Sequence, residues 1–146
     1  MKKLLELIKQ ARYVFVCGNG GSAATAEHFT NDLFSKGVKA ICLNSNTSIM
    51  TMIGNDFGYD QVFRRQLDLF AEEKDLVIVI SASGNSPNIV NVLTKYPPYT
   101  TYAITGFKKD NKCMKKADYY WYVDSMDYGV VETQHMLLVH QIKNAL

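Results

Sequence analysis

At 146 residues the chain has room for one domain, and 47% hydrophobic with 21% charged residues places it among globular rather than disordered sequences. Sixteen Lys and Arg against fourteen Asp and Glu leave +2, with the basic residues scattered apart from the pairs Lys108 and Lys109, Lys115 and Lys116, so no stripe suited to tracking nucleic-acid phosphates is present. The longest aliphatic run, residues 76–80, is far short of the roughly 20 apolar residues that a membrane helix needs, which argues against a membrane partner. Glu6, Lys9 and Arg12 interrupt the N-terminus before any signal-like apolar stretch, and Cys17, Cys42 and Cys113 form no Cys-x-x-Cys pair. Reduced thiols in a cytoplasmic protein are expected.

Taken in order, residues 1–12 carry Leu4, Leu5, Leu7 and Ile8 at the spacing of a short leading helix. Apolar, β-branched or aromatic runs then predict strands over 13–17, 40–43, 76–80, 101–105 and 119–123. Helical periodicity predicts helices over 22–35, 59–70, 88–95 and about 130–145. Strand and helix alternate, which calls for right-handed crossovers and a parallel sheet covered on both faces. The unbroken run 76–80 suits a central strand buried on both sides. The expected fold is a single doubly wound α/β domain over residues 1–146, with five strands.

In such a sheet ligands bind beyond the carboxyl ends of the strands. The first strand is followed by Gly18-Asn19-Gly20-Gly21-Ser22, and the third by Ser81-Ala82-Ser83-Gly84-Asn85-Ser86. Glycines let the backbone approach an anion, helix-opening amides point at it, and Ser81, Ser83 and Ser86 add hydroxyl donors. The second loop therefore reads as a phosphate cradle, although each loop alone is also compatible with a plain strand-to-helix turn. Neither has the Gly-x-Gly-x-x-Gly spacing and no Gly-Lys-Ser/Thr follows, so no nucleotide cofactor is expected.

His28 and Asp32 stand four apart on the predicted second helix and share a face, where they could bind a metal, move protons or form a solvated pair. The last helix carries Glu132, His135 and His140 around the apolar Met136, Leu137, Leu138 and Val139. For His135 a buried imidazole satisfied by a backbone carbonyl is the preferred reading. Asn55-Asp56-Phe57-Gly58 reads as a polar cluster or as a turn in which Asp56 caps the helix that follows.

These segments, in order, resemble the sugar isomerase domain family and within it the phosphoheptose isomerases. The matching text is Cys17 to Ser22, His28-Phe29, Gly54 to Gly58, Ile80 to Ser86, Thr105-Gly106, Ala117-Asp118, His135 and His140. The resemblance implies a flavodoxin-like winding and aldose–ketose isomerisation, with sedoheptulose 7-phosphate going to a heptose 7-phosphate through an enediol. It implies a phosphosugar held by Asn19, Gly20, Ser22, Asn55, Asp56, Ser81, Ala82, Ser83, Asn85, Ser86 and Glu132. It also implies proton transfer by Asp32 and His140 on opposite sides of the sugar, and a dimer or tetramer of identical chains.

By the same resemblance, His28, Asp32, Glu132 and His140 would hold a divalent metal, with Zn²⁺ favoured. Asp32 stands where the family has glutamate, Ala82 where it has threonine and Glu132 where it has glutamine. Two carboxylates and two imidazoles make a set suited to Zn²⁺. The same fold also serves non-catalytic phosphosugar sensors and a protein-binding adaptor, which is the alternative function; His140 in an otherwise apolar stretch argues for chemistry.

Overall fold

The run that is aliphatic at every position takes the middle of the sheet, as its composition requires. In the computed structural model, which describes residues 1–93 and 98–146, β1 (Val14–Gly18) lies beside β3 (Leu76–Ser81), with Val14 opposite Leu76 and Gly18 opposite Ile80. β2 (Ala40–Cys42) flanks β1, while β4 (Thr100–Thr105) and β5 (Tyr119–Tyr122) continue beyond β3. All pairs are parallel and the order is β2-β1-β3-β4-β5, the flavodoxin-like winding.

Alternate side chains of each strand feed one of two cores. Val14, Val16, Leu76, Ile78, Ile80 and Ile104 pack under α1 (Lys2–Gln10), α2 (Gly21–Ser35) and α7 (Tyr128–Ala145), which contribute Leu4, Ile8, Phe29, Leu33, Val139 and Ile142. Phe15, Cys17, Val77, Val79 and Ala103 face the other side, against Ile53, Leu67, Ile89, Val92 and Cys113. Those residues come from α3 (Thr47–Phe57), α4 (Arg64–Phe70), α5 (Pro87–Val92) and α6 (Lys112–Lys116). Cys17, Cys42 and Cys113 are buried and unpaired. Among the described residues no helix is long and apolar enough to cross a membrane.

The expected strands are all present, each within one residue at either end, but three helical expectations change. Residues 59–70 do not form one helix: a 3₁₀ turn, Tyr59–Gln61, is followed by α4, and Val62 and Phe63 between them are drawn fully into the core. The Gln66 amide bonds the Val62 and Leu43 carbonyls at 2.8 and 3.0 Å, tying this break to the sheet. Residues 47–57, where the sequence reading assigned no helix and took 55–58 as a polar cluster or turn, form α3, capped by Asn46 accepting from the Ile49 amide at 3.0 Å. Asp56 therefore sits in the last turn of α3 and caps nothing that follows. The helix expected over 88–95 is seen as α5; residues 94 and 95 lie outside the described residues.

Candidate active site at the topological switch

β1 leads outward to β2 and β3 leads the opposite way to β4, so the loops after β1 and β3 diverge and leave a crevice at the carboxyl end of the sheet. A cavity of about 250 Å³ opens there, lined by Asn19, Gly20, Ser22, Ser81, Ala82, Ser83, Ser86 and Glu132, all expected from sequence, together with Gly21 and Tyr128. α2 starts at Gly20, which has φ 55° and brings no side-chain cap. The Ser22 and Ala23 amides turn back to the Asn19 and Gly20 carbonyls at 3.0 Å, so the helix opens at the cavity wall with its dipole, rather than a side-chain cap, favouring negative charge there.

The two loops are tied together by Asn19 and Asn88, whose amides exchange reciprocal hydrogen bonds of 2.8 Å. Gly84 adopts φ 62°, and a Cβ there would run into the side chain of Asn111, so this loop position needs glycine twice over. Asn111 is itself fixed: it caps α6 by accepting from the Met114 amide at 3.0 Å and donates to the Lys108 carbonyl at 3.0 Å. Glu132 lays its carboxylate against Gly21, where any side chain would collide with it.

Not every expected residue joins the cavity. Asn85 is exposed and turns away, accepting from the Lys112 amide at 3.1 Å. Asn55 and Asp56 are exposed at the end of α3, bonded to each other at 2.7 Å, and line no part of the crevice.

A second polar cluster lies farther along the seam between α2 and α7. His28 Nε2 is 3.5 Å and His140 Nδ1 3.4 Å from the same oxygen of Asp32, Oδ2, and the two imidazole rings meet edge to face at 4.9 Å. Lys143 Nζ approaches the other oxygen, Oδ1, at 3.0 Å. Asp32 is only 1% exposed, whereas the side chains of His28 and His140 are 42% and 46% exposed. His28, Asp32 and His140 each offer one ligand atom, all within 4.8 Å of one another. Glu132 does not join this trio; it stays with Gly21 at the crevice. Nor do Asp32 and His140 stand on opposite sides of a substrate-sized gap, since both side chains enter one cluster.

His135 occupies a different setting. It is fully buried with Trp121 edge-on at 6.0 Å, and neither ring nitrogen makes a well-formed hydrogen bond among the described residues. Burial pushes it below the usual imidazole range; the Thr105 backbone, near but outside hydrogen-bond geometry, opposes the shift. It is buried as expected, yet no carbonyl satisfies it. Sequence reading missed Gly21, Tyr128 and Lys143. Gly21 had a signal in the glycine-rich loop that contains it, and Lys143 had one because it follows His140 by three residues and so shares its helix face; Tyr128 had none.

A switch-point crevice lined with serines and glycines, with a histidine–carboxylate cluster farther along the same helix seam, defines an α/β domain with a small-ligand site, and sequence comparison assigns its family. The SIS domain family matches residues 1–106, and the chain belongs to that family. It is 38% identical to the phosphoheptose isomerase of Aliarcobacter butzleri, across 97% of this chain and 78% of that protein. It is 36% identical to phosphoheptose isomerase 1 of Campylobacter jejuni, across 95% of this chain and 78% of that protein. Among solved structures, the phosphoheptose isomerase of Neisseria gonorrhoeae superposes with a TM-score of 0.91 at 30% identity, covering 99% of this chain and 80% of that one. That of Francisella tularensis gives 0.90 at 27% identity, covering 98% and 82%.

Proposed function

We propose that the chain is a cytoplasmic phosphosugar isomerase that converts sedoheptulose 7-phosphate into a heptose 7-phosphate. The observation carrying this reading is that one helix seam, α2 against α7, links the serine-lined crevice to the His28, Asp32 and His140 cluster. From Ser22 to His28 is about 9 Å of helix rise, and from Glu132 to His140 about 12 Å. A phosphate in the 81–86 loop and a carbonyl near His140 suit a long open-chain phosphosugar better than a triose phosphate.

In this reading Ser81, Ser83 and Ser86 hold the phosphate, and Asn19, Ser22 and Glu132 meet the sugar hydroxyls. The half-exposed imidazole of His140 removes the proton from the carbon next to the carbonyl, giving a cis-enediol, and a proton returns to the neighbouring carbon. Asp32 lies 3.4 Å from the Nδ1 side of His140, so the other ring nitrogen, Nε2, is the one to face substrate. Because Asp32 and His140 sit together, the transfer runs on one face of the enediol, with the pair relaying protons between carbon and oxygen.

A divalent ion such as Zn²⁺ fits the trio on one observation: His28 Nε2 and Asp32 Oδ2 are buried polar atoms that meet at the cluster without a hydrogen-bond partner. His28, Asp32 and His140 would hold it in the resting site; because turnover needs His140 as the base, His28 and Asp32 would keep it then, and it would supply Lewis-acid polarisation of the carbonyl oxygen. The exposed apolar groove of about 460 Å³ between α3 and α4, with Met52, Phe57, Leu69 and Phe70, supports association of identical chains as a dimer or tetramer. Turnover of sedoheptulose 7-phosphate by the Zn²⁺-loaded protein tests the assignment; binding without turnover would leave a sensor.

A further inference from the structure

Asp32 is the one carboxylate in the helix seam with almost no access to water, and such a charge requires a partner. The partner in the structure is Lys143. Its ammonium reaches Oδ1 at 3.0 Å from the same face of α7 that carries His140, while the two imidazoles approach only Oδ2, at 3.4 and 3.5 Å. One oxygen of the carboxylate thus belongs to a fixed cation. The other is the oxygen that meets the two imidazole nitrogens, where a divalent ion would bind.

We propose that Lys143 is a built-in competitor for the divalent cation, holding Asp32 in the metal-free site and setting how tightly a metal binds there. The proposal rests on the reading of His28, Asp32 and His140 as a metal site. An ion on Oδ2 and the ammonium on Oδ1 would occupy the two oxygens of one carboxylate, three positive charges sharing a single negative one. Repulsion between one and two positive charges so placed, around an oxygen sheltered from solvent, is only weakly screened. A group behind a metal ligand also helps by fixing its orientation, an effect of roughly 10–100-fold in affinity. A neutral donor gives that benefit without the repulsion. Lys143 gives both, and at this range the charge outweighs the orientation. The metal-free and metal-loaded states then differ in which cation owns Asp32, and loading frees the ammonium toward solvent, since its side chain is already 36% exposed.

The test is Zn²⁺ affinity, measured by competition with a chromophoric chelator, for the native protein, K143M and K143R. K143M keeps the stem without the charge and is expected to bind Zn²⁺ at least about tenfold more tightly, whereas K143R stays within about threefold of native. Equal or weaker binding by K143M overturns the proposal. If the native protein binds Zn²⁺ and K143M binds it equally, the metal site stands and the competition does not; if neither binds, both readings fall. Should K143M not fold, the native protein decides through acetic anhydride labelling of Lys143, followed by mass spectrometry. Saturating Zn²⁺ is expected to speed that labelling several-fold relative to the other lysines, and an unchanged or slower rate overturns the proposal.

Discussion

His140 and Asp32 are neighbours and do not face each other across a substrate: Nδ1 of one lies 3.4 Å from Oδ2 of the other, and the carboxylate is buried while the imidazole is half exposed. In the proposed reaction the exposed member is the one that touches the sugar, and the buried member acts through it. Replacing His140 by Gln removes the group able to exchange a proton and keeps much of its shape. Turnover of sedoheptulose 7-phosphate is expected to fall roughly 10²–10⁴-fold, with phosphosugar binding by calorimetry nearly unchanged. A parallel loss of binding would place His140 in substrate affinity instead.

The cluster around Asp32 is already full, with Lys143, His28 and His140 on its two oxygens. Asp32→Glu, which restores the residue typical of the resembled family, therefore adds a methylene where there is little room. Unfolding midpoints in urea should show a loss of about 1–3 kcal/mol, and Zn²⁺ affinity should weaken. Higher affinity together with native stability would show that the shorter carboxylate is a mere truncation.

Ser83 lies midway along the cradle and lines the crevice. Its replacement by Phe is expected to abolish the rise in thermal midpoint that phosphosugar or inorganic phosphate gives the native protein, because a ligand binding only the folded state must raise its apparent stability. Protection that survives the substitution would locate the anion elsewhere.

Gly84→Ala meets two obstacles, a positive φ and the fixed side chain of Asn111. A destabilisation of about 1–3 kcal/mol is expected, with weakened phosphate binding, since the loop can relieve the clash only by moving. Denaturant titration and phosphate binding on the same preparation check both halves.

His135 makes stability depend on pH. Its folded-state affinity for protons is lowered by burial, so below about pH 6.5 the unfolded chain binds more protons than the folded one. Stability attributable to this residue is complete above that pH and is lost as pH falls toward the folded-state pKa, below which the loss levels off. Urea midpoints at pH 7.5, 6.5 and 5.5 should show a steeper decline for the native protein than for His135→Leu. Equal slopes would mean that the imidazole titrates normally.

Much of this molecule is local information. The run 76–80 is apolar at every position, so its burial on both faces follows from composition, and the parallel sheet follows from strands that alternate with helices. The crevice loops are legible for a similar reason, because glycine and serine at a strand-to-helix junction act through backbone geometry that neighbours in sequence set. α3 was hidden because Ile49, Thr51 and Ile53 are β-branched and Gly54 interrupts them; the helix forms because Ile53, 4% exposed, has a sheet face to cover. What no spacing rule could decide is which groups meet across the seam. His28 and Asp32 are neighbours by periodicity, but that Asp32 takes His140 and Lys143 while Glu132 falls against Gly21 depends on how α2 and α7 lie side by side. That placement is fixed by Phe29, Leu33, Val139 and Ile142 packing on the sheet, contacts among residues more than 100 positions apart that have no signature in either helix alone.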